Sequence, residues 1–349
     1  MAKETIVVIG AGILGLSSAV TLLTNLPSSQ YRVLLLASHF PTDPSHPSYA
    51  TTNAGAHYRP IPASTPQLKY EAGLADTTFA RFKDIAARRP EFGVTMMEGV
   101  DYVSGEAAGA YQALLPEYRR LEGFRVLGKE ETPEGVEFGA RYDSYTVDTE
   151  TYTYHLLRQI RLLGGEVVRL RLNDANEAFY IEGHDVKLVV NCSGLGFGDP
   201  KSFIIRGQIC LVSNPCDKTI TQQHADGTWS FVIPRGLGGG TIVGGTKQPN
   251  DWNPNPSLEV REQLLKNAAT MYPAILGKEG KFDVIRDVVG RRPARDGGLR
   301  LEVEQGPNGK KIVHAYGAGG RGIELSWGVA EEMWKMVKPN VNVAAESKL

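Results

Sequence analysis

The sequence predicts an α/β protein: a helix-covered, largely parallel sheet interleaved with a second, β-rich α+β domain. Three observations predict this. Residues 5–37 read strand, glycine turn, helix, strand, the βαβ order of a parallel sheet. Similar strand-and-glycine pieces recur in the middle of the chain and near its end. Between them, residues 206–252 hold a series of short β-branched runs. A chain of 349 residues has room for two domains, each with its own core.

In order, Thr5–Ile9 is an apolar β-branched strand ended by Gly10-Ala11-Gly12. Ile13–Leu26 has the apolar content of a buried helix, stopped by Pro27, and Arg32–Ala37 is the second strand. Residues 41–62 contain five prolines and read as irregular. Pro66–Arg88 is a helix and Val100–Ser104 a short strand. Thr151–Leu163 is an amphipathic helix closed by Gly164-Gly165, followed by strands at Val167–Leu170 and Lys187–Asn191. Ser230–Pro234 and Thr241–Gly245 flank a glycine hairpin, and Ser257 is placed to cap a helix running to Met271. Lys311–Tyr316 is a strand, Gly317–Gly322 a turn and Ile323–Val337 a helix.

Composition excludes several functions. The net charge is −1, so there is no general attraction to nucleic acid or anionic lipid. Cys192, Cys210 and Cys216 have neither the pairing of a disulfide framework nor zinc-ligand spacing, so no metal is expected. Residues 6–23 are uncharged, but three glycines interrupt them, so a buried strand–turn–helix is expected rather than a membrane span. Ser347-Lys348-Leu349 matches the peroxisomal address, which implies a peroxisomal import receptor as partner.

Of the 39 glycines, 16 gather at 10–15, 194–198, 236–245 and 317–322. In the first cluster, Gly10-Ala11-Gly12-Ile13-Leu14-Gly15 is a dinucleotide fingerprint in its proper place between strand and helix. Gly10 makes the turn, Gly12 lets backbone approach a pyrophosphate, and Gly15 lets helix pack on strand. The acid usual at the end of the second strand is absent; Ser38 and His39 stand there instead.

Seven segments, in order and spacing, resemble the flavin-dependent D-amino acid oxidase and D-aspartate oxidase family, over nearly the whole chain. They are VVIGAGILGLSSA (7–19), NAGAHYRP (53–60), VVNCSGLG (189–196), RGQICLV (206–212), FVIPRGLGGGTIVGGT (231–246), VVGRRPARDGGLRLE (288–302) and HAYGAGGRGIELSWG (314–328). The resemblance implies non-covalent FAD in a Rossmann-like domain (1–60, 150–205 and 286–349) and a substrate domain (61–149 and 206–285). It implies oxidation of a D-amino acid, with O2 reduced to hydrogen peroxide, and leaves a homodimer open.

Residue by residue, the resemblance makes Arg295 the clamp for the substrate carboxylate and Arg292 more structural. An ion pair of Arg295 with Asp296 or Glu302 is the alternative. It places Thr51, Ala54, Gly55, Ala56, Val167, Ser193, Gly194, Gly319, Gly320, Arg321, Gly322 and Ile323 at FAD, beside the fingerprint residues and Ser38–His39, with Gly320 also at the reacting centre. Where relatives carry tyrosines over the substrate, this chain has Phe231 and Lys247. Lys247, His57 and Arg321 would favour a second substrate carboxylate, pointing to D-aspartate or D-glutamate. Each has a plainer alternative: Lys247 in solvent, His57 in the core, Arg321 paired with Glu324. Neutral D-amino acids, a glycine- or sarcosine-type amine, and an NAD(P)-dependent dehydrogenase remain the rival readings.

Overall fold

The computed structural model describes residues 3–342. Ser347-Lys348-Leu349 lies outside the described residues. Two sheets organise the chain. The six-stranded sheet has the order 300–305, 311–316, 186–191, 4–9, 31–37, 166–169, and its neighbours are parallel except for the antiparallel 300–305 edge. The first strand is buried on both faces, as a parallel sheet requires. Ile6 and Val8 join the core under the helices, while Val7 and Ile9 join a second core with Leu34, Leu36 and Phe179 on the other face.

Helix Ile13–Asn25 packs against the helices Thr149–Leu162 and Gly322–Val337, and Pro66–Arg88 also packs on Gly322–Val337. The expected Ser257 cap is present, and Asp148, not foreseen, caps the helix that begins at Thr149. The Asp148 carboxylate accepts from Thr151 N at 3.1 Å, and Ser257 Oγ accepts from Val260 N at 3.3 Å.

The nine-stranded sheet holds the β-rich segments, with the long strand Ser202–Val212 at one side and Val94–Val103 and Phe138–Val147 at the other. Val94–Val103 is longer than the short strand expected there, because it pairs along its whole length with Phe138–Val147. Val284–Arg295 also lies in this sheet, antiparallel along 202–212, so the expected segment boundary at 286 cuts through a paired strand. The RRPAR run thereby leaves the six-stranded sheet's neighbourhood and becomes one wall between the two sheets, with Ala294 bridging to Ala318 of the glycine turn.

Candidate active site

A cavity of about 870 Å³ runs from the first glycine turn to the nine-stranded sheet. One end is lined by Gly10, Ala11, Gly12, Ile13 and Leu14, with Ser38 and His39 from the end of the second strand. The helix starting at Ile13 has extended Gly12 as its cap, no side-chain cap and no acid in its first turn. That end is therefore positive by its backbone dipoles and open to an anion. Gly15 does not line the cavity; a Cβ there would meet Gly10 O at 1.8 Å, so its task is to let the helix sit on the turn.

Segment 46–56 forms a long side of the cavity, and several bonds fix it. Tyr49 donates to Ala11 O at 2.6 Å, Thr51 Oγ1 accepts from Ile13 N at 3.1 Å, and Arg235 donates to Gly55 O (3.0 Å) and Ala54 O (2.9 Å). Thr51, Ala54, Gly55, Ala56, Ser193 and Gly194 all line the cavity, as do Gly319, Gly320, Gly322 and Ile323 on the opposite side. Gly317 N donates to Gly194 O at 3.1 Å, joining two of the glycine turns.

Besides Gly15, four expected site residues lie off the cavity wall. Val167 is paired with Leu35 inside the sheet, and Leu170, Arg171 and Leu172 reach the cavity in its place. Arg321 is held between two acids, donating to Glu71 Oε2 and Glu324 Oε1 at 2.7 Å each, and Glu324 is the member of that trio on the wall. Lys247 is exposed and off the wall, because its strand end turns out to solvent after Thr246. Arg295 also misses the cavity: its Nε donates to Asp199 Oδ2 at 2.7 Å. Burial opposes ionisation of Asp199, yet Arg295, the Lys201 N–H and Tyr316 OH hold it down at about 2.

Within the RRPAR run, Arg291 and Arg292 line the cavity and Arg295 does not. Residues three apart on a strand project to opposite faces, and here Arg292 faces the cavity while Arg295 is paired with Asp199. Arg292 lies over Gly207, where a Cβ would meet its guanidinium at 2.4 Å, and it donates to Thr246 O at 3.1 Å. No carboxylate pairs with it among the described residues, and burial pulls its pKa below the ordinary value with nothing to offset it. A partly buried guanidinium with free donors facing a cavity is a site for a carboxylate.

Beside it, Ile209, Phe231 and Ile233 give the cavity an apolar wall, and His57 lies across from Phe231 with ring centroids 6.5 Å apart. Backbone bonds on either side, Ala56 N to Val147 O and Tyr58 N to Tyr145 O, fix its place. Its Nδ1 is 2.6 Å from Thr219 Oγ1. Thr219 gives its single proton to Val232 O at 3.1 Å, so its oxygen accepts from Nδ1–H. Burial, reinforced by the Arg59 charge, pushes the ring down to about 3, so it is neutral and its Nε2 is a bare acceptor.

These features meet a family comparison that covers nearly all of the chain. The model of the DAO family, FAD dependent oxidoreductase, matches residues 5–336. The chain belongs to that family. It is 44% identical to a D-aspartate oxidase of Talaromyces thermophilus, over 95% of this chain and 94% of that one. It is 32% identical to a D-amino-acid oxidase of Fusarium vanettenii, over 99% of this chain and all of that one (100%). The glycine oxidase of Geobacillus kaustophilus shares the fold, with a TM-score of 0.75 over 99% of this chain and 98% of that one at 17% identity.

The DAO family uses FAD, and the cavity fits it. A helix start with no acid in its first turn, where Thr51 takes only the Ile13 N–H, meets the diphosphate need; two glycine turns admit close backbone, and Arg171, Arg291 and Arg292 line the wall without carboxylate partners among the described residues. Bound there, FAD supplies the acceptor for an electron pair and hands the electrons to oxygen. Sequence reasoning missed His46, Tyr49, Arg171 and Arg235, which come from irregular segments without a spacing signal. The resemblance put the clamp at Arg295 rather than Arg292; strand parity separates the two without saying which one faces the cavity.

Proposed function

We infer that the chain is a FAD-dependent oxidase of D-amino acids, preferring acidic ones, with the net reaction D-amino acid + O2 + H2O → 2-oxo acid + NH3 + H2O2. The observation that carries it is Arg292: a guanidinium with free donors on the wall of a glycine-lined, FAD-sized cavity. Arg292 holds the α-carboxylate and so fixes which face of Cα is presented, while Ile209, Phe231 and Ile233 exclude water from the reacting carbon. No side-chain acid or base is needed for the electron transfer itself. The relationship to the Talaromyces D-aspartate oxidase supports the acidic preference.

Peroxide release from D-Asp, D-Glu, D-Ala, glycine and L-Asp tests the reading. D-Asp and D-Glu should lead, and a panel led by glycine or by neutral D-amino acids would replace the acidic preference. We further propose peroxisomal delivery, since the product is hydrogen peroxide and Ser347-Lys348-Leu349 matches the import tripeptide. Loss of import on changing that tripeptide, in a fluorescent fusion of the chain, is the expected result.

A further inference from the structure

His57 is the one neutral imidazole fixed on the substrate side of the cavity, and its hydrogen bonds leave a definite gap. Nδ1–H is committed to Thr219 Oγ1, whose own proton is committed to Val232 O. Nε2 has no hydrogen-bond partner among the described residues. The ring lies near Phe231, and Phe231 packs against Gly244 and Gly245; Thr246, next in the chain, accepts from Arg292 through its carbonyl. Arg292 over Gly207 and the His57–Phe231 pair beside Ile209 are thus served by alternate residues of one strand, about 7 Å apart along it.

A substrate with two carboxylates would put one on Arg292 and the other near His57. A carboxylate cannot accept from a bare nitrogen, and two facing lone pairs repel. The other cations around His57 do not answer that need. On its own segment, Arg59 is consumed by Asp101 at 3.2 Å and packs over Trp229. On the sheet, Lys218 beside Thr219 pairs with Glu98 at 3.4 Å. Thr146 bridges to His57 and carries no charge, and Phe231 is apolar. Arg291, also on the wall, is tied to Ser48 and the Trp252 carbonyl.

We propose that His57 is the specificity-determining residue for the second carboxylate and that it binds it by taking up a proton from solvent at Nε2. The imidazolium then donates from Nε2–H to the substrate and from Nδ1–H to Thr219, and the proton returns to solvent when the product leaves. Monocarboxylate substrates bind with His57 neutral. This inference rests on the acidic preference stated above.

Calorimetric titration of the FAD-loaded protein near pH 7, in buffers of different ionisation heat, counts the protons. Succinate is the dicarboxylate probe and butyrate its monocarboxylate counterpart. Wild type should take up close to one proton per succinate and about none per butyrate, and around pH 7 the succinate Kd should rise about tenfold per pH unit. FAD-loaded His57→Gln should bind succinate without proton uptake. If that variant does not hold FAD, the wild-type contrast between succinate and butyrate decides alone. Tight succinate binding with no proton uptake, alongside a preference for D-aspartate, overturns the role of His57 only. Succinate binding no better than butyrate, with D-aspartate oxidised no faster than D-alanine, overturns the acidic reading and this inference together.

Discussion

Arg295 donates its Nε to Asp199 Oδ2 at 2.7 Å, and that pair takes Arg295 out of the cavity. Asp199 also accepts from Tyr316 OH at 2.9 Å, so the pair belongs to a small structural network behind the strand. The arginine three residues earlier is left to meet the substrate. Arg292→Ala is therefore expected to lower kcat/KM by about 30- to 5,000-fold, the scale of removing a buried partner of a carboxylate. Arg292→Lys should recover part of it, since a point charge replaces a fork. Arg295→Ala should lower Tm, by an effect on the order of 1–3 kcal/mol, with KM nearly unchanged. Steady-state kinetics and thermal unfolding of the three variants separate the two roles.

Arg321 sits between Glu71 and Glu324, both nearly buried. Its removal strands two carboxylates in a region of low dielectric. Arg321→Ala should cost about 3–5 kcal/mol, read as a large fall in Tm. Arg321→Ala with Glu71→Gln should regain a good part of it, because one of the stranded charges is gone. A small effect of Arg321→Ala on Tm would show that the network is not structural.

Lys247 is exposed. Lys247→Tyr is accordingly expected to leave the ratio of D-Asp to D-Ala turnover unchanged. A shift towards D-Ala would show that the lysine reaches the substrate after all.

His57 gives a signed dependence of stability on pH. Its folded pKa is about 3, below the ordinary value near 6.5, so between those limits the unfolded chain binds more protons than the folded one. Stability from this group is intact above about pH 6.5 and is lost as pH falls, at up to about 1.4 kcal/mol per pH unit. Thermal unfolding of His57→Asn across the acid range should show a flatter limb than wild type. Parallel limbs would mean that His57 is charged in the folded protein.

The parts of the fold that sequence made legible are those held by local rules. The strand–glycine–helix start at residues 5–25 was readable because each glycine has a fixed geometric task, and the 66–88 helix because its proline and cap signals stand in order. Parity alone could not choose between Arg292 and Arg295, since either face of Val284–Arg295 could have been the cavity face. That choice was made by its pairing with Ser202–Val212, a contact between residues some 80 apart in sequence. Lys247 and Arg321 took their plainer alternatives, solvent and a pair with Glu324. Glu324 is three residues away and visible in sequence, but the second acid on Arg321, Glu71, comes from helix 66–88, far from it in the chain.

The central claim is that a D-amino acid held by Arg292 reduces bound FAD. Anaerobic mixing of the FAD-loaded protein with D-aspartate, followed by the visible flavin absorbance, tests it most directly. Bleaching by D-aspartate is expected, with return of colour on admitting oxygen and release of peroxide, and no bleaching by L-aspartate. A flavin that stays oxidised with every D-amino acid supplied would contradict it.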